Sequence, residues 1–266
     1  MAEAGLPPVV ARMWGRDTGS RHGPRPSQDL GSIVDAAIRI ADRDGLDGVT
    51  MSSVAGAVGM ATMSLYRYVG SKDELLILMA DAAVPEPPPL DGRDWRAYLT
   101  DWTRTTRDFL LSRPWLLALG QTTPPAGPRT LRWLDRALGA LAGTGLDYGQ
   151  RLNVATTLTS YASRLAAMAH ALNQPDGTAS TAGTAGTDGS AGSDGGDPVG
   201  GPAGYGAMLA QLLDPDVYPA LAAAVRENAF GGSAEWVEDA DFTFGLGLLL
   251  DGIDALVSRE RSPATG

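Results

Sequence analysis

The chain has 266 residues, of which 44% are hydrophobic, so it is long enough to bury one large core or two modest ones. It has no cysteine and only two histidines, far apart in sequence, which argues against disulfides, thiol catalysis and a histidine metal centre. The formal net charge of -10 argues against non-specific nucleic-acid binding by the surface as a whole. We therefore expect neither a metal ion nor another cofactor.

The N-terminus lacks the features of a targeting segment. Its first residues, MAEAGLPPVV, include an acid and two prolines where a signal peptide has a basic start and an apolar run. No stretch of the sequence approaches the ~20 apolar residues that a membrane helix requires. The sequence predicts a soluble cytoplasmic protein with no membrane partner.

Residues 1–28 are rich in proline, glycine and arginine, which predicts a flexible arm. Within residues 10–28 a single acid, Asp17, accompanies four arginines: Arg12, Arg16, Arg21 and Arg25. Basic arms of this kind enter the minor groove of DNA in other proteins. An unstructured tail that only adds solubility is an equally good interpretation.

Residues 29–84 have the spacing of a small helical domain. From Asp29 onward apolar residues recur every three or four positions, and Gly45 ends that pattern. Thr50 and Ser71 are suited to cap later helices. The predicted helices cover 29–44, Met51–Val58, Thr62–Tyr68 and Lys72–Val84, and the prolines of 85–89 end the unit.

Residues 85–258 continue in helical patterns, so the predicted fold class is all-α. The expected helices are Asp94–Ser112, a short one from Pro114, Pro128–Leu141, Asp147–Leu172, Tyr205–Leu213, Pro215–Asn228 and Ala234–Ser258. Residues 173–204 interrupt them with glycine, serine, threonine, alanine and aspartate, and Val199 is their one sizeable apolar residue. Such a composition predicts a disordered insertion within the larger domain.

The segment Met51–Tyr68 has the pattern of a helix-turn-helix. Ala55 lies where a small side chain lets the second helix approach, and Gly59 falls in the turn, where a positive φ is often needed. The residues expected to be buried between the helices are Val54, Val58, Met60, Leu65 and Tyr68. Seven positions thus agree with this interpretation.

The outward side of the second helix carries side chains that suit a DNA major groove. Arginine forms paired hydrogen bonds to guanine, hydroxyls contact bases or phosphates, and methionine contacts the thymine methyl. Tyr68 is ambiguous, because its ring can pack inward while its hydroxyl reaches a phosphate. The candidate DNA-binding residues are Thr50, Thr62, Met63, Ser64, Tyr66, Arg67, Tyr68 and Lys72.

The stretch MSSVAGAVGMATMSLYRYVGSKDELL, preceded by an amphipathic helix and GLDGVT, resembles the DNA-binding domain of TetR-family transcriptional regulators. Two later stretches, DWRAYLTDWTRTTRDFLLSRPWLLAL and RTLRWLDRALGALAGTGLDYGQ, resemble the ligand-binding domain of the tetracycline-repressor branch. The resemblance implies a three-helix DNA-binding domain joined by a fourth helix, within 29–84, to a ligand-binding and dimerisation domain over 85–258.

The resemblance also implies a homodimer and an effector site. The long eighth and last helices of the family pair with their twins, and here Leu248, Leu249 and Ile253 would supply apolar area. The residues that match the family's ligand cavity are Trp102, Thr106, Trp133 and Tyr161. Residues 113–125 contain no histidine where tetracycline repressors use one, so we do not expect a metal-bound tetracycline as the ligand.

These features favour a repressor that binds a palindromic DNA operator as a homodimer and is released by a small hydrophobic effector. A DNA-binding regulator without a small-molecule switch is the alternative. We do not expect an enzyme, because the sequence has no nucleophile–base pairing, metal spacing or nucleotide fingerprint.

Overall fold

The structure, a computed structural model, describes residues 6–16, 29–119, 126–172, 202–229 and 239–261. The regular elements in these ranges are all helical, which confirms the predicted all-α class. In chain order they are α1 (Pro8–Met13), α2 (Leu30–Asp44), a 3-10 turn (Leu46–Gly48), α3 (Met51–Ala57), α4 (Thr62–Val69), α5 (Lys72–Ala82), α6 (Trp95–Ser112), α7 (Trp115–Ala118), α8 (Pro128–Ala140), α9 (Tyr148–Leu172), α10 (Pro202–Leu212), α11 (Pro219–Arg226) and α12 (Asp239–Arg261). None of the helices described is long and apolar enough to cross a membrane.

The chain divides into two compact units. One unit comprises the described residues within 1–163 and 249–266, and the other those within 164–248. The first unit therefore contains α1 to α8 together with parts of α9 and α12, and the second contains α10 and α11. Most of the predicted insertion, up to residue 201, lies outside the described residues.

Helices α2 to α5 surround one hydrophobic core. Its fully buried members come from all four helices and from the segment before α3: Ile33, Ala37, Val49, Val54, Leu65, Val69, Leu75 and Met79. Burying one such aliphatic side chain contributes about 1.5–3 kcal/mol. Helices as short as α3 and α4 are marginal alone in water, so this shared core is what stabilises them.

Side-chain caps fix the starts of three of these helices. The N–H of Ser53 donates to Thr50 Oγ1 (3.0 Å), and the N–H of Glu74 donates to Ser71 Oγ (3.1 Å), which confirms both predicted caps. Asp29 caps α2, and the hydrogen bond from the backbone N–H of Ser32 lowers the pKa of its carboxyl. Helix α5 ends at Ala82, two residues before the predicted Val84.

One helix lies inside the segment predicted to be a flexible arm. Val9 and Met13 of α1 pack against the core of α2 to α5. The Arg12 guanidinium pairs with the Glu74 carboxylate on α5, and the Trp14 indole N–H donates to the carbonyl of Ala126 (2.8 Å). Tertiary contacts therefore order this part of the arm, whereas its residues 17–28 lie outside the described residues.

The short helix α7 is anchored in the same core. Trp115 is 6% exposed and belongs to the core formed by α2 to α5. Its indole N–H donates to Asp42 Oδ1 on α2 (2.8 Å), and the Arg113 guanidinium donates to the same oxygen (3.2 Å) and to the Ala83 carbonyl (3.1 Å). Because α7 follows α6 directly, these bonds attach the α2–α5 domain to the following helices.

We predict that this anchor makes a large contribution to stability. Trp115→Ala should cost about 3–5 kcal/mol, the usual loss for a buried tryptophan. Trp115→Phe retains most of the apolar area but removes the bond to a carboxylate, so it should cost about 1.5–3 kcal/mol. Chemical denaturation measures both losses. Tyr148→Phe, at a side chain that is 76% exposed, is the matched control and should change stability by less than about 0.5 kcal/mol. If Trp115→Phe and Tyr148→Phe changed stability equally, the proposed role of Trp115 as an anchor would be wrong.

Candidate nucleic-acid interface and effector site

Helices α3 and α4 are joined by a tight turn over residues 58–61. Gly59 has φ +70°, the left-handed conformation that glycine adopts without strain, as the sequence predicted. The N–H of Met60 donates to the Ala55 carbonyl (2.9 Å), which closes the turn on the end of α3. Val54, Ala55 and Leu65 are buried, while the expected Val58 and Met60 are half-buried against the core. The helix-turn-helix interpretation is confirmed.

Helix α4 separates its side chains into a buried side and an open side. Leu65 and Val69 are fully buried, whereas Met63 is 78% exposed and Tyr66 is 43% exposed. Arg67 is also exposed, and its Nη2 donates to Ser64 Oγ one turn earlier (3.3 Å). The apolar side thus fixes the helix, and the exposed side presents a thioether, a phenol and a guanidinium to the solvent.

The predicted DNA-binding residues occupy three neighbouring elements. Thr62 and Ser64 are half-buried at the start of α4, and Tyr68 is half-buried with its ring against the core. Thr50 caps α3, and Lys72 is the exposed first residue of α5. Helix α4 contacts both α3 and α5, so the structure brings the elements that carry these residues together.

The cap of α3 holds more hydroxyls than the sequence analysis identified. The Thr50 N–H donates to Ser53 Oγ (3.0 Å), which completes a reciprocal capping box. The Ser53 hydroxyl also lies within hydrogen-bond distance of the Gly48 carbonyl (2.8 Å), and the Ser52 and Thr50 hydroxyls are 3.0 Å apart. The usual capping box has Glu or Gln at the third helical position, so the serine in this chain gave only a weak signal.

Electrostatics beside α4 also depend on α1. The first turn of α5 contains two acids, Asp73 and Glu74, next to Lys72. Because Arg12 pairs with Glu74, one of these acids is offset by a cation from α1. A phosphate near Lys72 would therefore meet less repulsion than the sequence around it suggests.

Two of the four candidate effector residues contact each other. The ring centroids of Trp102 on α6 and Trp133 on α8 are 5.7 Å apart, and both side chains are buried. The Trp102 indole N–H donates to the Trp133 carbonyl (3.2 Å), and the Trp133 indole N–H donates to the Pro85 carbonyl (2.6 Å). Backbone carbonyls therefore already accept the N–H groups of both indoles.

The other two effector candidates are half-buried. The Thr106 hydroxyl donates to the Trp102 carbonyl within α6 (2.8 Å), and Tyr161 lies on α9.

On α6 the sequence analysis missed Arg107, which is buried and pairs with the neighbouring Asp108 (2.7 Å). Burial also raises the pKa of Tyr98, whose hydroxyl donates to the Pro88 carbonyl (2.8 Å). In the described part of the chain, no group of three metal-ligating side chains is suited to hold a metal ion.

Two family models match the chain, one for each predicted domain. "Bacterial regulatory proteins, tetR family" matches residues 33–79. "Tetracyclin repressor-like, C-terminal domain" matches residues 88–257. The HTH-type transcriptional repressor DrrR1 of Streptomyces coeruleorubidus is 33% identical over 254 residues, which cover 94% of this chain and 86% of DrrR1.

Solved structures share the fold. Apo ActR from Streptomyces coelicolor superposes with a TM-score of 0.65 at 22% identity, over 87% of this chain and 99% of ActR. ActR in complex with actinorhodin gives 0.64 at 22% identity, with the same coverage. A possible TetR family transcriptional regulator from Streptomyces coelicolor A3(2) gives 0.60 at 26% identity, over 86% of this chain and 100% of that one.

Proposed function

This chain belongs to the TetR family of transcriptional regulators, and from that premise we propose that it is a repressor that binds a palindromic operator as a homodimer and releases it when a small molecule binds. The exposed side of α4 is the observation that carries the proposal. Met63, Tyr66 and Arg67 project from a helix whose other side is fully buried. A rigid helix with these outward groups fits a major groove.

Each proposed contact has a distinct role on the operator. Arg67 would read a guanine through its two-pronged guanidinium, and Met63 would pack on a thymine methyl. Thr50 and Lys72 lie at the starts of α3 and α5, where they would bind phosphates and set the register of α4. Thr62, Ser64, Tyr66 and the Tyr68 hydroxyl complete the proposed surface.

The outward side of α12 supports the homodimer. Phe244 is 70% exposed and Leu248 is 60% exposed, and Gly252 and Ala255 continue the exposed row along the helix. Gly252 has open space around it, so a second helix can approach closely. Of the residues predicted to supply apolar area, Ile253 is instead buried within its own chain, because it lies on the opposite side of α12. A two-fold axis would place two such surfaces face to face, and two-fold symmetry requires a palindromic operator.

The effector half of the proposal rests on the aromatic pair. Trp102 and Trp133 form an aromatic pair in the core between α6 and α8, and a planar hydrophobic molecule would bind against their faces. Thr106 and Tyr161 would orient a polar group of that molecule. Because both indole N–H groups are already bonded internally, a regulator without a small-molecule switch is the competing interpretation.

The DNA contacts are tested with a duplex selected by the full chain from a random pool. We expect an inverted repeat, and Arg67→Ala should weaken binding by about 1–3 kcal/mol and relax one base position in each half-site. Arg43→Ala removes the same charge from an exposed site on α2, outside the proposed surface, and is the matched control. Lys72→Ala should weaken all duplexes alike and flatten the salt dependence. Fluorescence anisotropy measures all three. Equal losses for the Arg67 and Arg43 variants would refute the assigned orientation of α4.

The homodimer is tested by light scattering on a sizing column. Leu248→Glu should convert the dimer into a monomer, because a buried interface cannot accommodate an unpaired carboxylate. Leu212→Glu, at a residue of α10 that is 68% exposed, makes the same chemical change outside the proposed interface and should remain dimeric. A Leu248→Glu variant that stays dimeric would place the interface elsewhere.

The effector site is tested with a compound that releases the selected duplex from the parent chain, found in a panel that includes actinorhodin. Trp102→Ala and Trp133→Ala should lose release while keeping affinity for the duplex. Each also removes a buried ring, so Trp102→Phe and Trp133→Phe serve as folded intermediates that should show partial loss. If all four variants release DNA like the parent, the compound binds somewhere else.

A further inference from the structure

The end of helix α5 meets the start of helix α8 at a buried carboxylate. The first N–H groups of any helix need acceptors from outside the helix. In α8 the N-cap residue is Gly127, which has no side chain to supply one. Asp81, in the last turn of α5 and 7% exposed, accepts from the Thr130 N–H (2.9 Å), the Thr130 hydroxyl (2.8 Å) and the Arg129 N–H (3.3 Å). Asp81 of α5 thus caps the start of α8.

The junction is packed closely enough to hold that carboxylate in place. A Cβ at Gly127 would lie 2.1 Å from Asp81 Oδ1 and 2.5 Å from the terminal methyl of Met13. Helix α1 therefore covers the junction, and Trp14 adds the hydrogen bond to the Ala126 carbonyl. The absence of a side chain at Gly127 is what allows the three elements to meet.

Helix α5 connects this junction to the helix-turn-helix. Its eleven residues span about 16 Å. Only Gly70, the C-cap of α4, and Ser71, the N-cap of α5, separate the two helices. Glu74 in the first turn of α5 pairs with Arg12 of α1. Helix α8 in turn carries Trp133, which contacts Trp102 of α6. A displacement of the start of α8 therefore reaches α5 at Asp81.

We propose that Asp81 is a positioning residue of the regulator, through which the start of α8 sets the position of α5. The position of α5 in turn sets the spacing between the DNA-binding domains of the two subunits. The inference rests on the proposed homodimer function. Other bonds from α8 reach the chain after α5, such as Arg129 Nη1 to the Val84 carbonyl (3.0 Å) and Trp133 to Pro85. Those bonds hold the linker, whereas Asp81 holds the helix itself.

The test uses the absence of native cysteines. Asp35→Cys, at an exposed position on α2 outside the proposed DNA surface, carries one spin label per subunit, so dipolar spectroscopy reports the distance between the two heads. In the parent we expect one narrow distribution. Asp81→Ala should broaden it by about twofold, because α5 then populates more than one position relative to α8. Asp81→Asn should have a smaller effect in the same direction.

The control separates coupling from general loss of stability. Thr144 is buried in the turn that follows α8, and its hydroxyl donates to the Leu141 carbonyl (2.7 Å). Thr144→Val loses this buried hydrogen bond without touching α5 and should keep the narrow distribution. Gly127→Ala keeps the carboxylate but displaces it, so it should broaden the distribution even if Asp81→Ala folds poorly.

Three outcomes are decisive. Broadening in the Asp81 and Gly127 variants but not in Thr144→Val supports the proposal. Unchanged distributions in all variants overturn it. If the parent shows no dipolar signal, the homodimer proposal is wrong, and the coupling between α8 and α5 is still untested. Amide exchange over Lys72–Ala82 then tests that coupling. Faster exchange in Asp81→Ala than in Thr144→Val supports the coupling, and equal exchange overturns it.

Discussion

The burial of one side of α4 is the constraint on which the proposed DNA-binding surface depends. This eight-residue helix begins at Thr62, and its N-cap residue, Ala61, provides no side-chain hydrogen bond. A helix this short is marginal alone in water, so tertiary packing must hold it. Leu65 and Val69 are fully buried among α2, α3 and α5, and they fix the rotation of the helix about its axis. With that rotation fixed, Met63 and Arg67 must point outward. The proposed recognition surface is thus a consequence of core packing.

The same core extends beyond the helix-turn-helix in two directions. Trp115 of α7 inserts into it and bonds to Asp42, while α1 packs against it and bonds to Ala126. Together with the Asp81 cap on α8, these contacts join the DNA-binding helices to those that carry the aromatic pair. A regulator needs such connections, because a ligand acts on DNA affinity only by favouring one arrangement of the heads over another.

Local signals were sufficient to predict much of the fold. The caps at Thr50 and Ser71, the positive φ at Gly59 and the spacing of apolar residues each depend on a few neighbouring residues, so the sequence predicted them correctly. Helix α1 has only six residues, and it is ordered by contacts with Glu74 and Ala126 that are far away in sequence. No local pattern contains that information.

The two candidate sites also differ in how far local sequence patterns could predict them. The exposed side of α4 could be predicted because helical periodicity alone places its residues. The bonding of the Trp102 and Trp133 indoles to backbone carbonyls could not, because it depends on how α6, α8 and the linker at Pro85 meet. Ile253 was predicted to supply apolar area to a partner subunit, but it is buried within its own chain. Apolar residues occur around much of α12, so the sequence alone did not separate its buried side from its exposed side.

We propose that α4 and the starts of α3 and α5 form the DNA-binding surface. Hydrogen–deuterium exchange of the full chain, with and without its selected duplex, measures whether they do. We expect slower amide exchange at 50–53, 61–68 and 71–74, without comparable protection in α10 and α11. Protection confined to other helices, or none in α3 to α5, would contradict it.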